Sequence, residues 1–340
     1  MNKLLCVGDL HMKDTLSYND YIEGGRQQEE KEVLDFIISQ SIDCDKVILL
    51  GDNFNSKTNS AETIRKFTEF IERFDGKELF ILKGNHESKE INKSAIDYLR
   101  EIKNKKWHII TNKVEKFGDL VFCPYFTKQE LETKDNGEAS KKLMKLFPEK
   151  NILFAHHSFT DSISNSGTPT SLFDEIILDR KKLEKKYKLL VGGHIHRSQK
   201  IGNTIVAGSI FSYEVNEGDK FIWKINESTL EIEQIKLPGR KIYGVENPTI
   251  EELEKLPANS IVKVTITNKD TKKEIDKIKE ILETFDAHML IENLPSERKK
   301  IKSIEKGQML DFGIDNLLEL YSKEKNIPIN KLIFAFNLIK

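Results

Sequence analysis

The stretch LLVGGHIH, residues 189–196, gives the first indication of both the fold and a functional site. The apolar run 189–191 predicts a buried strand, and two glycines end it. His194 and His196 follow at once, although the chain has only eight histidines. One interpretation is a polar loop that happens to contain histidine, and the other is a metal site with neutral imidazole ligands. The pair alone leaves both open, so further ligands have to be found elsewhere in the chain.

The same arrangement recurs at the other apolar runs of the chain. Four short runs, residues 4–7, 47–50, 79–82 and 151–155, also predict strands, and helical stripes at 26–41 and 61–74 separate the first three. Strands that alternate with helices predict an α/β fold, in which ligands bind beyond the carboxyl ends of the strands. The polar residues at the five strand ends are Asp9 and His11, Asp52, Asn85 and His86, His156 and His157, and His194 and His196.

Each of these strand ends also has an ordinary structural interpretation. Gly-Asp after a strand is usually a turn whose aspartate caps the next helix, and Asn85-His86 is usually a hydrogen-bonded loop. Five such ends in one chain favour a shared metal site, because parallel strands bring their carboxyl ends to the same edge. The sequence therefore predicts a metal centre built from all five ends.

Composition excludes several other classes of protein. The 340 residues are 38% hydrophobic and 32% charged, and the formal net charge is -1, so no global basic field attracts nucleic acid. The three cysteines are widely spaced, which indicates buried thiols rather than disulfides or a zinc knuckle. The N-terminal apolar run is too short for a signal peptide, and no run reaches membrane-spanning length. We expect a cytoplasmic protein with no membrane association.

Proline and glycine mark a joint late in the chain. Pro238-Gly239, Pro248 and Pro257 follow a predicted β-meander at 197–236. We predict a domain at 1–240, a small α+β domain at 241–295 that caps the site or binds DNA, and a helical segment at 296–340. The apolar stripe within 308–322 could pack on its own domain or dock on a partner.

The order D-x-H, G-D, G-N-H-E, H and G-H-x-H resembles that of the calcineurin-like metallophosphoesterases, across residues 9–196. The resemblance implies a two-sheet αββα sandwich, followed by a small α+β C-terminal domain. Within that superfamily the chain looks most like the SbcD-like nucleases of double-strand-break repair. The features that carry this finer resemblance, besides the small domain, are Arg26 after a long loop, and Gly208, Ser209, Ser212 and Glu217 within VAGSIFSYEVNEGDKFIW.

The resemblance also implies the role of each site residue. Asp52 would bridge two divalent metals, most readily Mn²⁺, with Mg²⁺, Fe²⁺ and Zn²⁺ as alternatives. His86 would be the catalytic acid, with the side chain of Asn55 standing where relatives have a histidine or an aspartate beside it. Because neighbouring strand residues point to opposite faces, only one of His156 and His157 would be a ligand, and the family pattern selects His156. The implied metal ligands are Asp9, His11, Asp52, Asn85, His156, His194 and His196.

The function that the resemblance implies is DNA cleavage. The chain would be the exonuclease and endonuclease subunit of an SbcCD-like repair complex, hydrolysing phosphodiesters with a hydroxide activated by two metals. Its partners would be DNA and an SbcC-like coiled-coil ABC-type ATPase, in a heterotetramer that contains two copies of this chain. The alternatives are a phosphatase or cyclic-nucleotide phosphodiesterase, which shares the five motifs, and a non-catalytic scaffold.

Overall fold

A computed structural model describes residues 2–22, 24–164, 167–267 and 274–290 of the chain. The strands in chain order are β1 (Lys3–Val7), β2 (Lys46–Leu49), β3 (Glu78–Leu82), β4 (Ser88–Glu90), β5 (Lys93–Ser94), β6 (Trp107–Ile110), β7 (Glu115–Phe117), β8 (Leu120–Cys123), β9 (Ile152–Ala155), β10 (Ser158–Phe159), β11 (Ile177–Leu178), β12 (Leu189–Gly192), β13 (Gln199–Ile201), β14 (Thr204–Val206), β15 (Phe221–Asn226), β16 (Ile232–Lys236), β17 (Ile242–Glu246), β18 (Ile261–Thr265) and β19 (Asp286–Leu290). The α-helices are α1 (Gln27–Gln40), α2 (Ala61–Glu72), α3 (Asn136–Lys145), α4 (Arg180–Leu183), α5 (Ile250–Glu254) and α6 (Ile275–Leu282), and short 3-10 helices span Asn19–Tyr21, Asp97–Glu101 and Thr170–Leu172.

Two six-stranded sheets form the body of the fold. The first has the order β16-β15-β1-β2-β3-β6, and the second has the order β13-β14-β12-β9-β8-β7. In the first sheet β1, β2, β3 and β6 are mutually parallel, as β14, β12, β9 and β8 are in the second. Antiparallel strands lie only at the edges of these two sheets. The two parallel sets therefore each present a row of carboxyl ends.

The hydrophobic core has three layers because successive strand residues point to opposite faces. Leu4 and Cys6 of β1 face the second sheet, where Phe80 of β3 stacks on Phe122 of β8 with ring centroids 4.4 Å apart. Leu5 of β1 faces the other way and packs in the layer that contains α1 and α2. A third layer packs α3 and α4 on the outside of the second sheet. The predicted αββα sandwich is confirmed.

Local sequence signals account for the two long helices over the first sheet. Helix α1 buries Val33, Leu34 and Ile37 on one stripe, the spacing from which a helix was predicted at 26–41. Helix α2 begins after Ser60, whose hydroxyl accepts the backbone N–H of Thr63 at 3.0 Å. This N-cap satisfies a donor that the first turn leaves without a partner.

The pattern at residues 93–104 predicts a helix, and this prediction is wrong. The structure has β5 and the 3-10 helix Asp97–Glu101 there. The Asp97 carboxylate accepts the backbone N–H of Ser94 at 2.6 Å, and Ala95 donates its N–H to the carbonyl of Glu87. These bonds compete with helical ones and tie the segment to the loop after β3.

Two predicted strand groupings also differ from the structure. The sequence around Gly118 predicts one hairpin of strands at 107–116 and 120–125, but β6 joins the first sheet and only β7 pairs with β8. The expected meander at 197–236 is two separate hairpins, one in each sheet. Hydrophobic periodicity is the same in either sheet, so it does not identify the pairing partner.

A third sheet lies towards the C-terminal side of the described residues. Strands β17, β18 and β19 are parallel, in that order, and α5 and α6 pack with β18 around the buried residues Leu253, Val264 and Ile278. The observed elements are those of a small α/β module, whereas the domain boundaries at 240 and 295 stay a prediction. The predicted helical segment 296–340 lies outside the described residues. None of the helices that the structure describes is long and apolar enough to cross a membrane.

Candidate metal centre

The carboxyl ends of β1, β2, β3, β9 and β12 meet at one place, where the two rows of parallel strand ends adjoin. His156, after β9 in the second sheet, has its Nδ1 2.7 Å from the carbonyl oxygen of Leu50, after β2 in the first. The side chains of Asp9 and Asp52 are buried at this junction. Three groups of ligand atoms, each group within 4.8 Å, are present here: Asp9, His11 and His196; His11, Asp52 and His86; and Asp52, His156 and His194.

Asp52 has the central position in the cluster. Its Oδ1 lies 3.4 Å from Nε2 of His156, and its Oδ2 lies 3.7 Å from Nε2 of His11. The two oxygens of one carboxylate thus face two different sets of histidines. Oδ1 also accepts the backbone N–H of His86 at 2.9 Å, which fixes the side-chain orientation. Among the residues that the structure describes, Asp52 is the carboxylate shared by a ligand group that contains His11 and the ligand group that contains His156.

Glycines make room for this crowded centre. An added Cβ on Gly84 would lie 2.1 Å from Oδ1 of Asp52, and one on Gly193 would lie 2.7 Å from Oδ1 of Asp9. Gly51 adopts a φ of +104° and would place a Cβ 2.3 Å from Nδ1 of His156. Any larger side chain at these three positions would displace a predicted ligand.

Three of the predicted ligands have strained backbone conformations. His11, Asp52 and His194 adopt φ values of 44°, 47° and 83°, in the left-handed region that residues with a Cβ seldom occupy. Such conformations cost about 1–3 kcal/mol each and persist only where the surroundings hold them. The packing of the surrounding sheets therefore holds the backbone of these three residues in conformations that it would seldom adopt by itself.

The hydrogen-bond pattern tests whether these residues fit a metal. Because a carbonyl oxygen only accepts, Nδ1 of His156 carries the proton that it donates to Leu50. In the neutral ring, Nε2 then presents a lone pair 3.1 Å from Oδ1 of Asn85, which is also an acceptor. His11 and His196 face each other through their Nε2 atoms at 2.8 Å. Acceptor atoms of His156, Asn85 and Asp52 thus converge on one buried place, and such a mixed nitrogen and oxygen donor set fits divalent metal ions.

The pKa values of Asp52 and His156 indicate an anionic environment around His156, whereas burial lowers the pKa of His11 well below its usual value. Burial opposes ionisation of Asp52, but His156 and His11 outweigh it and hold its pKa below the ordinary value. Burial raises the pKa of Asp9. Although burial also disfavours the imidazolium of His156, Asp52 and Asp9 raise its pKa to about 9. A field that favours a proton on a buried imidazole also favours a metal cation in the same place.

His86 lies at the partly exposed side of the cluster. Its ring meets that of His11 edge to face, with centroids 4.6 Å apart. Its Nδ1 is 2.8 Å from the backbone carbonyl oxygen of Asn55. The expected partner was the side chain of Asn55, so the structure replaces a side-chain contact with one that any residue type at position 55 could make. Because that oxygen only accepts, Nδ1 donates, and Nε2 is the atom that His86 presents to a substrate.

His157 points away from the cluster, unlike its neighbour His156. Its Nε2 accepts the backbone N–H of Phe126 at 3.1 Å, and its ring stacks on that of Tyr125 at 5.1 Å. Burial lowers the pKa of His157 well below the usual value, so the ring is neutral. His157 therefore braces the loop after β8, whereas His156 faces the other predicted ligands.

Several residues of the site were not among those predicted from the sequence. Tyr125 follows β8 and brings its ring within 6.1 Å of that of His194. Glu87 is fully buried and accepts the backbone N–H groups of Phe54 and Gly84 at 2.6 and 2.7 Å; burial and Asp52 raise its pKa to about 8. Glu87 is the last residue of the G-N-H-E motif, which is the signal that could have identified it. Glu175, in a loop before β11, contacts His194.

Comparison with known proteins places the chain in a family. The sequence profile of the calcineurin-like phosphoesterases matches residues 3–198, which include every predicted metal ligand. A novel archaeal phosphodiesterase of known structure is similar at 14% identity, over 69% of this chain and 99% of that one, with a TM-score of 0.34. A dimetal phosphatase from Danio rerio is similar at 11% identity, over the same 69% and 99%, with a TM-score of 0.39. No curated protein sequence matches the chain. Because the family profile covers more than half of its length, the chain belongs to the calcineurin-like phosphoesterases, a family of dimetal-dependent hydrolases.

Proposed function

We propose that the chain is a metal-dependent DNA nuclease, the catalytic subunit of an SbcCD-like repair complex. The family fixes the reaction class as hydrolysis of phosphoesters. The choice of DNA among phosphoester substrates depends on the finer resemblance, which is carried by Arg26, Ser209, Ser212 and Glu217.

The observation that supports this choice is that those residues form one connected layer behind the metal centre. Arg26 is buried, and its guanidinium donates to the carbonyl oxygen of Ser212 at 3.2 Å. Lys220 donates to the hydroxyl of Ser209 at 2.8 Å and to the carboxylate of Glu217 at 2.5 Å. Glu217 in turn contacts Nδ1 of His196 at 3.2 Å. Tyr213, next to Ser212, donates its backbone N–H to the same glutamate at 3.1 Å, so the contacts of Arg26 lead through this loop to one predicted ligand.

The predicted ligands would hold two cations on either side of Asp52. Asp9, His11 and His196 would complete one set, and Asn85, His156 and His194 the other. Two divalent ions, when bound, supply Lewis acidity and lower the pKa of water, and Mn²⁺ suits such a mixed nitrogen and oxygen set. Asp9 and Asp52 offset about two of the four positive charges, so the loaded site stays cationic and attracts a phosphodiester although the chain has a net charge of -1.

His86 would supply the acid of the reaction. With Nδ1 committed to the carbonyl oxygen of Asn55, Nε2 is the nitrogen from which a protonated His86 would donate to the leaving oxygen of a bound ester. The carbonyl oxygen of Asn55 stabilises the charged ring by accepting a hydrogen bond from Nδ1–H. Because the backbone makes this contact, the asparagine side chain at position 55 does not prevent His86 from acting.

The partners follow from the same proposal. An SbcC-like coiled-coil ATPase would bind the segment 296–340, and two copies of the chain would assemble with it in the cytoplasm. The apolar stripe of residues 308–322 has the spacing of a helix that lies in a partner's groove.

Substrate comparison tests the proposed function. Purified chain with Mn²⁺ would be incubated with linear duplex DNA, bis-p-nitrophenyl phosphate and p-nitrophenyl phosphate, with EDTA-treated enzyme and an Asp52→Ala variant as controls. We expect cleavage of DNA and of the diester, and slow hydrolysis of the monoester. Rapid monoester hydrolysis without DNA cleavage would identify a phosphatase instead, and hydrolysis of cyclic nucleotides without DNA cleavage would identify the small-substrate phosphodiesterase. If none of the esters is hydrolysed, the non-catalytic scaffold is the interpretation that remains.

A further inference from the structure

Two glutamates outside the predicted ligand set each support one histidine of the Gly-His-x-His motif. Oε1 of Glu217 lies 3.2 Å from Nδ1 of His196, and Oε2 of Glu175 lies 2.7 Å from Nε2 of His194. The ionised carboxylates only accept, so the ring nitrogen donates in both pairs. Each bond therefore selects a tautomer whose opposite nitrogen has a free lone pair.

The free lone pairs face the metal centre in both cases. Nε2 of His196 is 2.8 Å from Nε2 of His11, and Nδ1 of His194 is 2.8 Å from Oδ1 of Asn85. His196 and His194 use different ring nitrogens towards the centre because their glutamates approach from different sides. In each pair the glutamate bonds to one nitrogen of the imidazole ring, and the other nitrogen faces the metal centre.

Glu217 is held in place by a buried cation. Its side chain and that of Lys220 are 0% and 2% exposed, and Lys220 Nζ lies 2.5 Å from Oε2 of Glu217. The same oxygen accepts the backbone N–H of Tyr213 at 3.1 Å. Lys220 also donates to the backbone carbonyl oxygen of His196 at 3.2 Å. The buried pair of Glu217 and Lys220 thus bonds to both the ring and the backbone of His196.

Glu175 supports the other histidine from a more exposed position. Its side chain is 20% exposed, and its second oxygen accepts the hydroxyl of Ser158 at 2.5 Å. Ser158 begins β10, two residues after His156, so Glu175 links the chain just beyond His156 to the ring of His194. These two histidines belong to the same predicted ligand set.

We propose that Glu175 and Glu217 are positioning residues of the metal centre: Glu217 orients His196 within one ligand set, and Glu175 orients His194 within the other. The inference depends on the metal centre and goes beyond the proposed function, since it does not involve DNA. A carboxylate behind a ligating histidine fixes its tautomer and raises its basicity, and losing one typically weakens metal affinity about 10–100-fold.

The test measures Mn²⁺ binding to the full-length, metal-stripped chain by calorimetry. We expect Glu217→Gln and Glu175→Gln each to weaken one of the two sites about 10–100-fold, with two Mn²⁺ ions still bound at saturation. Saturating Mn²⁺ should restore turnover of bis-p-nitrophenyl phosphate. Glu214→Gln and Asp174→Asn are the matched controls, because these exposed carboxylates are neighbours of Glu217 and Glu175 in sequence and should leave both affinities unchanged.

Two further variants separate positioning from folding. Glu217→Gln combined with Lys220→Met removes both buried charges, and thermal unfolding of the metal-free protein shows whether it folds; a folded double variant should show the same weakened site. In a His196→Ala background, Glu217→Gln should cause no additional loss of affinity, because its effect passes through that ring.

Wild-type affinity for both Mn²⁺ ions in the two glutamine variants would overturn the proposal. It would also be overturned if Glu217→Gln lowered Mn²⁺ affinity as much in the His196→Ala background as it does in the wild type. Failure of the proposed function gives a different result. A chain that binds two Mn²⁺ ions and hydrolyses the small diester but cleaves no DNA would refute the nuclease and leave the binding comparison intact.

Discussion

Gly84→Ala adds a single methyl group and should disable the metal centre. The added Cβ would lie 2.1 Å from Oδ1 of Asp52 and 2.2 Å from the backbone nitrogen of the same residue. Gly84 does not have a positive φ, so backbone strain at position 84 does not complicate the comparison. The substitution therefore acts on Asp52, through both its carboxylate and its backbone nitrogen.

The size of the effect follows from the overlap. Real Cβ contacts essentially never fall below 3.0 Å, so the carboxylate has to retreat by about 1 Å. It cannot retreat freely, because Asp52 is buried and its Oδ1 accepts the backbone N–H of His86. Overpacking of this kind costs about 1–3 kcal/mol of unfolding free energy. A misplacement of about 1 Å at a reacting centre lowers turnover about 10²-fold.

The assay combines Mn²⁺ calorimetry, turnover of bis-p-nitrophenyl phosphate and denaturant unfolding of the metal-free chain. Gly239→Ala is the matched control, since its Cβ would make only ordinary contacts of 3.5 Å with Val33 and 3.6 Å with Glu29. We expect that control to keep full activity and to gain about 0.4–1 kcal/mol, because alanine restricts the unfolded chain. If Gly84→Ala binds two Mn²⁺ ions and turns over like the wild type, the close approach of Gly84 to Asp52 has no functional role and the reasoning fails.

The other predictions address single site residues and the C-terminal segment. Asp52→Ala should abolish both metal binding and hydrolysis, since the carboxylate between the two sites is lost; two ions per chain by metal analysis would contradict a bridging role. His86→Ala should keep both metals while turnover of the diester falls about 10²–10⁴-fold, the usual effect of losing a general acid, and lost metal would make His86 a ligand. His156→Ala should weaken Mn²⁺ binding more than His157→Ala in calorimetry, because only the first ring faces the cluster, and the reverse order would show that the wrong neighbour was chosen. A chain cut after Glu305 should stay folded and cleave the diester but lose ATPase binding in a pull-down; an insoluble truncation would favour packing of the segment on its own domain.

Local sequence patterns predicted the elements that carry the site. The apolar runs before Asp52 and His194 became β2 and β12, and the helical stripe at 26–41 became α1 with ends shifted by one residue. These elements depend on periodicity and turn residues, which neighbours along the chain determine. Because ligands bind beyond the carboxyl ends of parallel strands, the sequence predicted that the polar residues at these ends would converge. Only the structure shows that the strands belong to two sheets and that the residues meet at the junction of the two.

Long-range packing decided what those patterns left open. The split of residues 107–123 between two sheets depends on pairing partners that share the same apolar character. The helix expected at 93–104 was replaced by turns because side chains and the loop after β3 capture its backbone donors. Neither competition can be read from a window of consecutive residues.

The sequence by itself determined which chemical groups the centre contains, because strand periodicity places Asp9, Asp52 and six of the eight histidines just after predicted strands. The tertiary structure alone decided how those groups are held. The ring nitrogens that His156, His194 and His196 present depend on Leu50, Glu175 and Glu217, and the left-handed backbone at Asp52 depends on the packing around it. Contacts between residues 19 to 106 positions apart obey no local period, so only the folded chain can specify them.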